Sequence, residues 1–193
     1  MLFRSLEQEG KKIEARNPCM ILLPDGRYRL YYSAGTVWLD DCDFEEPKYI
    51  FCAESDNPLG PFTKIAAPIL LPDENLPFRN YGCGAIKVYG YGDGYLAFYN
   101  PIYIDDGGNS RSEIRMLVSD DGLEWTEAPC NPVIAPTEDG GWRSAIVYQL
   151  DVVCFENTAR IYFNARDSWE GGVERIGCCV LDLDGDLPIR KLW

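Results

Sequence analysis

Two aspartates in the last third of the chain lie in apolar, strand-like surroundings and are candidates for chemistry. Asp151 interrupts the run "YQLDVV" (148–153), and Asp167 follows the run "ARIYFNAR" (159–166). A carboxylate in an apolar strand must be paired, hydrogen-bonded or functional, because burying a bare charge is costly. We therefore take Asp151 as a candidate catalytic acid, and Asp167, in the loop after its run, as a second candidate. Asp151 could instead lie in a strand-ending turn like "YGDG" (91–94), which would leave it exposed.

Two arginines lie where they could hold an acidic ligand group. Arg16 and Arg143 each precede an apolar run. A guanidinium group presents a flat fork of donors that binds a carboxylate or a phosphate through two hydrogen bonds. The alternative is that each arginine neutralises a nearby acid, such as Glu14 or Asp139.

The segment between the last two strand-like runs carries further polar side chains. Arg166 and Asp167 follow one run, and Glu174 begins the next run, "ERIGCCVLD" (174–182). Arg166 and Asp167 could pair across this hairpin for structural reasons alone. Alternatively, the loop presents Arg166 and Glu174 to a ligand, as loops on rigid scaffolds often do.

The residue types exclude several kinds of site. The chain has no histidine, and none of its eight cysteines forms a C-x-x-C pair. A Ser-His-Asp or Cys-His mechanism is therefore excluded, and we expect neither a metal site nor a cofactor. Most of the cysteines lie in apolar runs, where a free thiol packs as a small hydrophobic side chain.

Charge and hydropathy limit the possible partners. The formal net charge is −13 and the sequence pI is about 4.4, so the chain repels phosphate backbones and anionic membranes. We expect neither a nucleic acid nor a membrane as a partner. Residues 1–18 hold no apolar stretch of signal-peptide length, and no window approaches the length of a membrane span. We therefore expect a cytoplasmic protein.

An internal repeat organises the chain. An apolar and aromatic strand that ends in a small polar residue occurs three times, as "YRLYYSA" (28–34), "GYLAFYN" (94–100) and "ARIYFNA" (159–165). Its end residues Ser33, Asn100 and Asn164 recur at nearly equal intervals along the chain. In the strand that follows, Asp56, Asp120 and Asp182 recur at almost the same interval. Two landmarks that keep step through three copies indicate a true repeat.

Each copy is expected to form four short antiparallel strands. Turn residues separate the runs, as in "PDGR" (24–27), and no segment has a sustained helical period. The architecture that repeats four-stranded sheets is the β-propeller. We predict an all-β fold in a single domain, residues 1–193, with three blades near residues 14–77, 78–141 and 142–186.

Four segments carry the pattern of a known group of propellers: "RNPCMILLPDGRYRLYYSA", "YIFCAESDNPLGPFTK", "SEIRMLVSDDGLEWTEA" and "RIYFNARD…ERIGCCVLD". They resemble blades of the five-bladed β-propeller glycosidase superfamily, which includes glycoside hydrolase families 43, 32 and 68. The resemblance extends from about Glu14 to Asp184. It implies a carbohydrate-active protein that hydrolyses or binds a glycan, and a partial five-bladed propeller.

The chain departs from that superfamily where catalytic carboxylates are expected. The superfamily places them at the starts of the inner strands, and two carboxyl groups with different pKa values flank the bond that is cleaved. Here those starts read Arg16-Asn17-Pro18, Arg79–Gly84 and Trp142–Ala145, without an acid. Asn17 is an amide in place of the expected carboxylate, and we count it among the candidate glycan-binding residues. Either the acids come from elsewhere or the chain does not hydrolyse by that route.

Two tryptophans in polar, loop-like segments could stack on sugar rings. Trp38 lies in "GTVWLDDCDFEEP" (35–47) and Trp169 in "RDSWEGG" (166–172). Packing in the core or between blades is the alternative. The acids of the first segment, Asp40, Asp41, Asp43, Glu45 and Glu46, match no calcium-binding loop, so we interpret it as a solvated acidic loop.

The leading hypothesis is a glycoside hydrolase similar to families 43 and 32. The alternatives are a non-catalytic sugar-recognition or scaffold module, and an inactive partial propeller. The 193 residues hold three copies, whereas the resembled superfamily closes its ring with five. Uncapped blade faces would be apolar, so we expect either a dimer or a partner that supplies the remaining blades.

Overall fold

The computed structural model describes residues 15–168 and 171–183, together with the backbone of residues 6–8 and 11–13. These residues form fourteen strands and no helix, so no helix among them could cross a membrane. In chain order the strands are β1 (Leu6–Gln8), β2 (Lys11–Ile13), β3 (Arg16–Leu22), β4 (Tyr28–Leu39), β5 (Phe44–Ser55), β6 (Thr63–Lys64), β7 (Gly82–Tyr91), β8 (Gly94–Ile104), β9 (Ser110–Ser112), β10 (Arg115–Ser119), β11 (Thr126–Glu127), β12 (Ile146–Phe155), β13 (Thr158–Arg166) and β14 (Glu174–Asp182).

The strands form three antiparallel sheets that follow one another along the chain, plus a small β1–β2 hairpin. The first sheet has the order β3-β4-β5-β6, and the second has the order β7-β8-β10-β11 with β9 added beside β8. The third sheet has the order β12-β13-β14, and the fourth strand predicted for it lies outside the described residues. The all-β prediction of repeated propeller blades is confirmed, and the three sheets do not close a ring.

Glycines make the tight turns that join the first two strands of a sheet. In the first sheet, Gly26 has a φ of 88° and the Leu23 N–H donates to the Arg27 carbonyl oxygen over 2.7 Å. In the second sheet, Gly92 has a φ of 58° between β7 and β8. Side chains rarely adopt these backbone angles, so the "PDGR" and "GDG" segments direct the chain into hairpins.

The three sheets stack face to face, and the core lies in the two spaces between them. Tyr31 and Ile50 of the first sheet pack against Tyr99 of the second. On its other face, the second sheet packs Phe98 and Met116 against the third sheet. The innermost strands β3, β7 and β12 lie side by side, which is the arrangement of neighbouring propeller blades. All eight cysteines are free thiols.

The hairpin of β4 and β5 is longer than the sequence suggested. Residues 35–47, interpreted above as a solvated loop, continue the ladder, and Thr36 to Leu39 pair with Pro47 to Phe44. The loop interpretation is therefore wrong for the paired residues and correct for residues 40–43, which form the turn and carry the exposed acids Asp40, Asp41 and Asp43. At the hairpin tip, the Asp41 carboxylate accepts hydrogen bonds from the backbone N–H and the hydroxyl of Ser110, over 2.7 and 2.5 Å. These contacts fix the tip to the second sheet and extend the first sheet beyond its own blade.

Candidate functional site

A cavity of about 280 Å³ lies where the long β4–β5 hairpin meets the third sheet. The hairpin forms one wall, and the start of β12 with the adjoining ends of β13 and β14 forms the other. Its lining residues are Leu39, Cys42, Phe44, Glu46, Ile146, Tyr148, Gln149, Arg166 and Glu174. Two carboxyl groups, one guanidinium group, one phenol and one amide thus converge on a partly apolar space.

Glu46 is the carboxyl group that the hairpin contributes. It lies on β5 beside Val37 of β4 and is partly buried. Burial raises the pKa of Glu46 to about 7, although the nearby Arg16 guanidinium partly opposes the increase. A carboxyl group with this pKa retains its proton over much of the weakly acidic range, so it can donate that proton to a ligand.

Arg16 approaches the cavity from the start of β3. Its Nη1 donates to the carbonyl oxygen of Glu45 over 3.4 Å, and its Nη2 lies 3.7 Å from Glu45 Oε2. Arg16 is thereby bound to the hairpin, and its charge acts on Glu46 beside that anchor.

Glu174 is the carboxyl group that the third sheet contributes. It is the first residue of β14, opposite Arg166 of β13, and its Oε1 accepts a hydrogen bond from the Asn164 side-chain amide. Burial, together with a hydrogen bond to Glu174, raises the pKa of the Tyr148 phenol. Tyr148 therefore stays protonated and orients Glu174 from a second side.

Arg166 has unused hydrogen-bonding capacity. Its Nη2 donates to the Gly172 carbonyl oxygen over 3.3 Å, whereas its buried Nε has no hydrogen-bond partner among the described residues. A buried N–H group without an acceptor is costly, so this donor lowers the stability of the cavity wall. Cys42 is no nucleophile here, because burial and neighbouring acids raise the pKa of its thiol to about 11.

A β-bulge shapes the third-sheet wall of the cavity. The register between β12 and β13 shifts between Tyr148 and Leu150, and the extra residue, Gln149, has a φ of 41°. Bulges often direct a side chain toward a functional site, and Gln149 lines the cavity. Asn17 has a similar φ of 54° in β3, but its amide donates to Ser33 Oγ over 2.9 Å and is used for structure.

The structure brings two of the predicted site residues into the cavity. Arg166 and Glu174 line it, and Arg16 lies beside it. Asn17 and Trp38 do not line it, and the Trp38 carbonyl oxygen accepts a hydrogen bond from the Tyr81 hydroxyl. Arg143 lies in the segment before β12, where its carbonyl oxygen accepts from the Thr137 N–H. Trp169 lies outside the described residues.

The two predicted catalytic acids lie elsewhere on the third sheet. Asp151 has a side chain that is 73% exposed, and its Oδ1 lies 3.3 Å from Lys87 Nζ. Asp167 receives a 2.7 Å ion pair from Arg175 and a hydrogen bond from the Val173 N–H, and both contacts lower the pKa of its carboxyl group. Neither residue lines the cavity, and their catalytic role stays a prediction.

Sequence reasoning missed Glu46, Tyr148 and Gln149. The available signal for Glu46 was the alternation of Val37 and Leu39 beyond the predicted end of β4, which indicates that the strand continues. Within residues 15–168 and 171–183, no group of three or more acidic or cysteine side chains is arranged to hold a metal ion.

Comparison with known proteins identifies the fold. No protein-family profile matches the chain, and no curated protein sequence matches it. Among solved structures, a family 117 glycoside hydrolase from Zobellia galactanivorans superposes with a TM-score of 0.66 at 16% identity, over 93% of this chain and 57% of that one. An endo-arabinase from Bacteroides thetaiotaomicron gives 0.60 at 17% identity, over 88% and 51%. A thermostable family 43 glycoside hydrolase gives 0.59 at 16% identity, over 89% and 49%.

The chain thus spans about half the length of each of these three glycoside hydrolases. Its three stacked sheets superpose over nearly their full extent, although few residues are identical. The chain therefore has the fold of a partial β-propeller of the kind found in glycoside hydrolases of families 43 and 117.

Proposed function

We propose that the chain is a carbohydrate-active protein that binds a glycan in the cavity between Glu46 and Glu174 and hydrolyses a glycosidic bond there. Glu46 is the general acid, and Glu174 is the opposing carboxylate. The observation that carries the proposal is the pairing of two carboxyl groups in one cavity, with the pKa of Glu46 raised to about 7. Glycoside cleavage requires two carboxyl groups whose environments separate their pKa values.

The other cavity residues have complementary roles in this proposal. Arg166 offers its positive charge, and Gln149 offers an amide, to hydroxyl or acid groups of the sugar. Leu39 and Phe44 supply apolar surface for the carbon face of a ring. The volume of about 280 Å³ lies just below the range for small-molecule sites, about 300–1,000 Å³, which suits a small glycan fragment.

A second function is a glycan-binding module without catalysis. It is favoured by the starts of β3 and β7, which hold Asn17 and Cys83 in place of acids. The Asn17 amide donates a hydrogen bond to Ser33 Oγ. It therefore stands where a carboxylate is expected but cannot act as a general acid. The fold likeness supports both functions, because the same fold can carry a catalytic or a non-catalytic site.

A panel of aryl-glycosides and labelled glycans tests the proposal. We expect hydrolysis by the wild-type chain, and a loss of about 100-fold or more in kcat for Glu46→Gln with glycan binding retained. Arg166→Met should weaken binding. Asp151→Asn and Asp167→Asn serve as controls that alter acids outside the cavity.

The activity and glycan binding of these variants show which residues form the site. Loss of activity in Asp151→Asn, with Glu46→Gln unaffected, would move catalysis to Asp151. Glycan binding without hydrolysis, abolished by Arg166→Met, would support the binding module. If no glycan binds and none is hydrolysed, the cavity is not a carbohydrate site.

A further inference from the structure

A second cavity, of about 300 Å³, lies between the β4–β5 hairpin and residues 71–81, the segment that leads into β7. We call it the side cavity, and we call the cavity between Glu46 and Glu174 the main cavity. The side cavity is lined by aromatic, apolar and charged groups, including Val37, Lys48, Tyr49, Glu74, Asn80 and Tyr81. Mostly apolar walls with a few polar groups are typical of a site for a small molecule.

The side cavity and the main cavity lie along the same face of the hairpin. Val37, which lines the side cavity, pairs directly with Glu46, which lines the main cavity. Lys48 of the side cavity lies two residues after Glu46 on β5, so it shares that face. Directly opposite side chains of antiparallel strands are about 4.5–5.5 Å apart. The two cavities are therefore neighbours, and one ligand can reach both.

Two tyrosine rings line the side cavity, and both are held in place. The Tyr81 hydroxyl donates to the Trp38 carbonyl oxygen over 2.8 Å. Tyr49 meets Phe51 edge-on, with ring centroids 6.0 Å apart. Tyr49 also lies against Gly35, where a Cβ would come within 2.9 Å of Tyr49 Cδ2. Rings fixed in advance lower the entropy cost of binding, and each offers a flat apolar surface to the carbon face of a sugar.

The wall that residues 71–81 contribute is held by its own hydrogen bonds. The Asp73 N–H donates to the Arg79 carbonyl oxygen over 3.0 Å. The Asn80 side-chain amide donates to the Ile104 carbonyl oxygen over 3.0 Å, and its oxygen accepts from the Ile104 N–H over 2.8 Å. Asn80 is therefore used to fix the segment against β8. The polar groups that remain for a ligand are the charged side chains.

Lys48 and Glu74 bring opposite charges to the side cavity. Lys48 Nζ lies 5.4 Å from the centroid of the Tyr49 ring, and Glu74 is exposed in the segment before β7. An ammonium group donates hydrogen bonds to sugar hydroxyls, and a carboxylate accepts hydrogen bonds from them. Because the two charges balance, the side cavity suits the hydroxyl groups of a neutral sugar better than an acidic sugar.

We propose that the ligand is a neutral oligosaccharide that occupies both cavities, with the side cavity holding the sugars beyond the bond between Glu46 and Glu174. This inference rests on the proposed function, because it extends the glycan that the main cavity binds. A chain that fills two neighbouring sites binds more tightly than a fragment that fills one. Affinity should therefore rise with the length of the glycan.

Calorimetric titration with xylo-, arabino- and galacto-oligosaccharides, from the monosaccharide to the pentasaccharide, tests this inference. In the series that binds, the affinity of the wild type should rise about tenfold or more with length. Tyr81→Ala and Glu74→Ala should remove most of that rise, and Tyr81→Phe, which keeps the ring, should retain it. Tyr162→Ala is the matched control, because Tyr162 is 42% exposed and lines neither cavity; it should show the wild-type rise.

The two cavities can fail separately in this experiment. Equal affinity of the wild type for short and long glycans would overturn the role of the side cavity and leave the main cavity as the site. A rise with length that survives in Tyr81→Ala and Glu74→Ala would overturn it too, and Glu74 is exposed, so its variant should fold as the wild type does by circular dichroism. Binding that requires Tyr81, without hydrolysis, would uphold the side cavity and reject catalysis. If no series binds, both proposals are wrong.

Discussion

The hydroxyl of Tyr31 donates a hydrogen bond of 3.0 Å to the carbonyl oxygen of Gly122, and so joins the first sheet to the second. Tyr31 is fully buried, and burial raises the pKa of its phenol, so the hydroxyl remains a donor at all ordinary pH values. The neighbouring Arg29 donates to Asp121 in the same turn and is held by Glu54 Oε1 over 2.8 Å. Contacts between consecutive sheets thus include directed polar groups as well as apolar packing.

Tyr31→Phe should lower the free energy of unfolding by about 1–1.5 kcal/mol. The substitution keeps the ring and removes the donor, which leaves the buried Gly122 carbonyl oxygen without this partner. Urea unfolding measures the change. Tyr162→Phe, at the equivalent position of the third sheet, should alter the stability of the monomer by less than about 0.5 kcal/mol. Equal losses in both variants would show that the hydrogen bond to Gly122 does not stabilise the protein.

Glu46 should make the protein less stable as the pH rises. Its pKa is about 7 in the folded chain, above the usual carboxyl value of 4.5, so the folded state holds the proton more tightly than the unfolded state. The free energy of unfolding should therefore fall between about pH 4.5 and pH 7, by at most about 3 kcal/mol. Urea unfolding across this range measures the slope.

Matched variants isolate the contribution of Glu46. Glu46→Gln cannot ionise, so it should be less sensitive to pH over that window. Glu138→Gln changes an exposed acid that does not line the cavity, and it should keep the wild-type slope. Identical slopes in the wild type and Glu46→Gln would contradict the raised pKa.

Substitution of Glu127 in the second sheet should strongly reduce the stability of the protein. Its carboxylate accepts from Arg115 Nε over 2.7 Å, from the Tyr99 hydroxyl over 2.5 Å and from the Asn131 amide over 2.7 Å. Glu127→Ala should cost about 2–3 kcal/mol, because it leaves these partly buried donors unsatisfied. Chemical denaturation measures the loss.

The control for Glu127 is an ion pair at the surface. Asp25 and Arg27 pair over 2.8 Å with both side chains well exposed. Asp25→Ala should leave the denaturation midpoint nearly unchanged, because exposed pairs contribute little. If Asp25→Ala lost as much stability as Glu127→Ala, burial would not explain the difference expected between the two acids.

Two glycines on β7 should respond differently to alanine. A Cβ at Gly84 would overlap the Asn100 side chain, which accepts a hydrogen bond from the Ala85 N–H over 2.7 Å. Gly84→Ala should therefore lower the melting temperature by an amount equivalent to about 2 kcal/mol. Gly90→Ala meets no atom within 4 Å and should be tolerated. Equal melting temperatures for the two variants would contradict the close approach at Gly84.

Local signals explain why the fold was predictable. Period-two apolar patterns and turn glycines, such as Gly26, depend on neighbours in sequence, so the three sheets could be located from residues alone. The extension of β4 and β5 was not predictable in the same way. Asp40, Asp41 and Asp43 give that hairpin a polar composition, and its tip is held by Ser110, which is 69 residues away from Asp41.

The site was less predictable because its walls come from distant parts of the chain. Arg166 and Glu174 could be nominated from one hairpin, whereas Glu46 reaches the cavity only through the extended first sheet. Asp151 is paired with Lys87, which is one of the outcomes expected for a charge in an apolar strand, and it is exposed for a geometric reason. The bulge at Gln149 reverses the alternation of β12, so Leu150 and Val152 enter the core and Asp151 faces outward.

The extra residue Gln149 shifts the inward and outward alternation of β12 by one position. Before Gln149, Val147 points into the core and Tyr148 lines the cavity; after it, the even-numbered Leu150 and Val152 point into the core. Deleting Gln149 would put the downstream half out of phase, sending Asp151 and Val153 inward and Leu150 and Val152 into water. The cavity wall and the exposed outer face of the third sheet thus both depend on the extra residue Gln149. A deletion of this one residue would disrupt both.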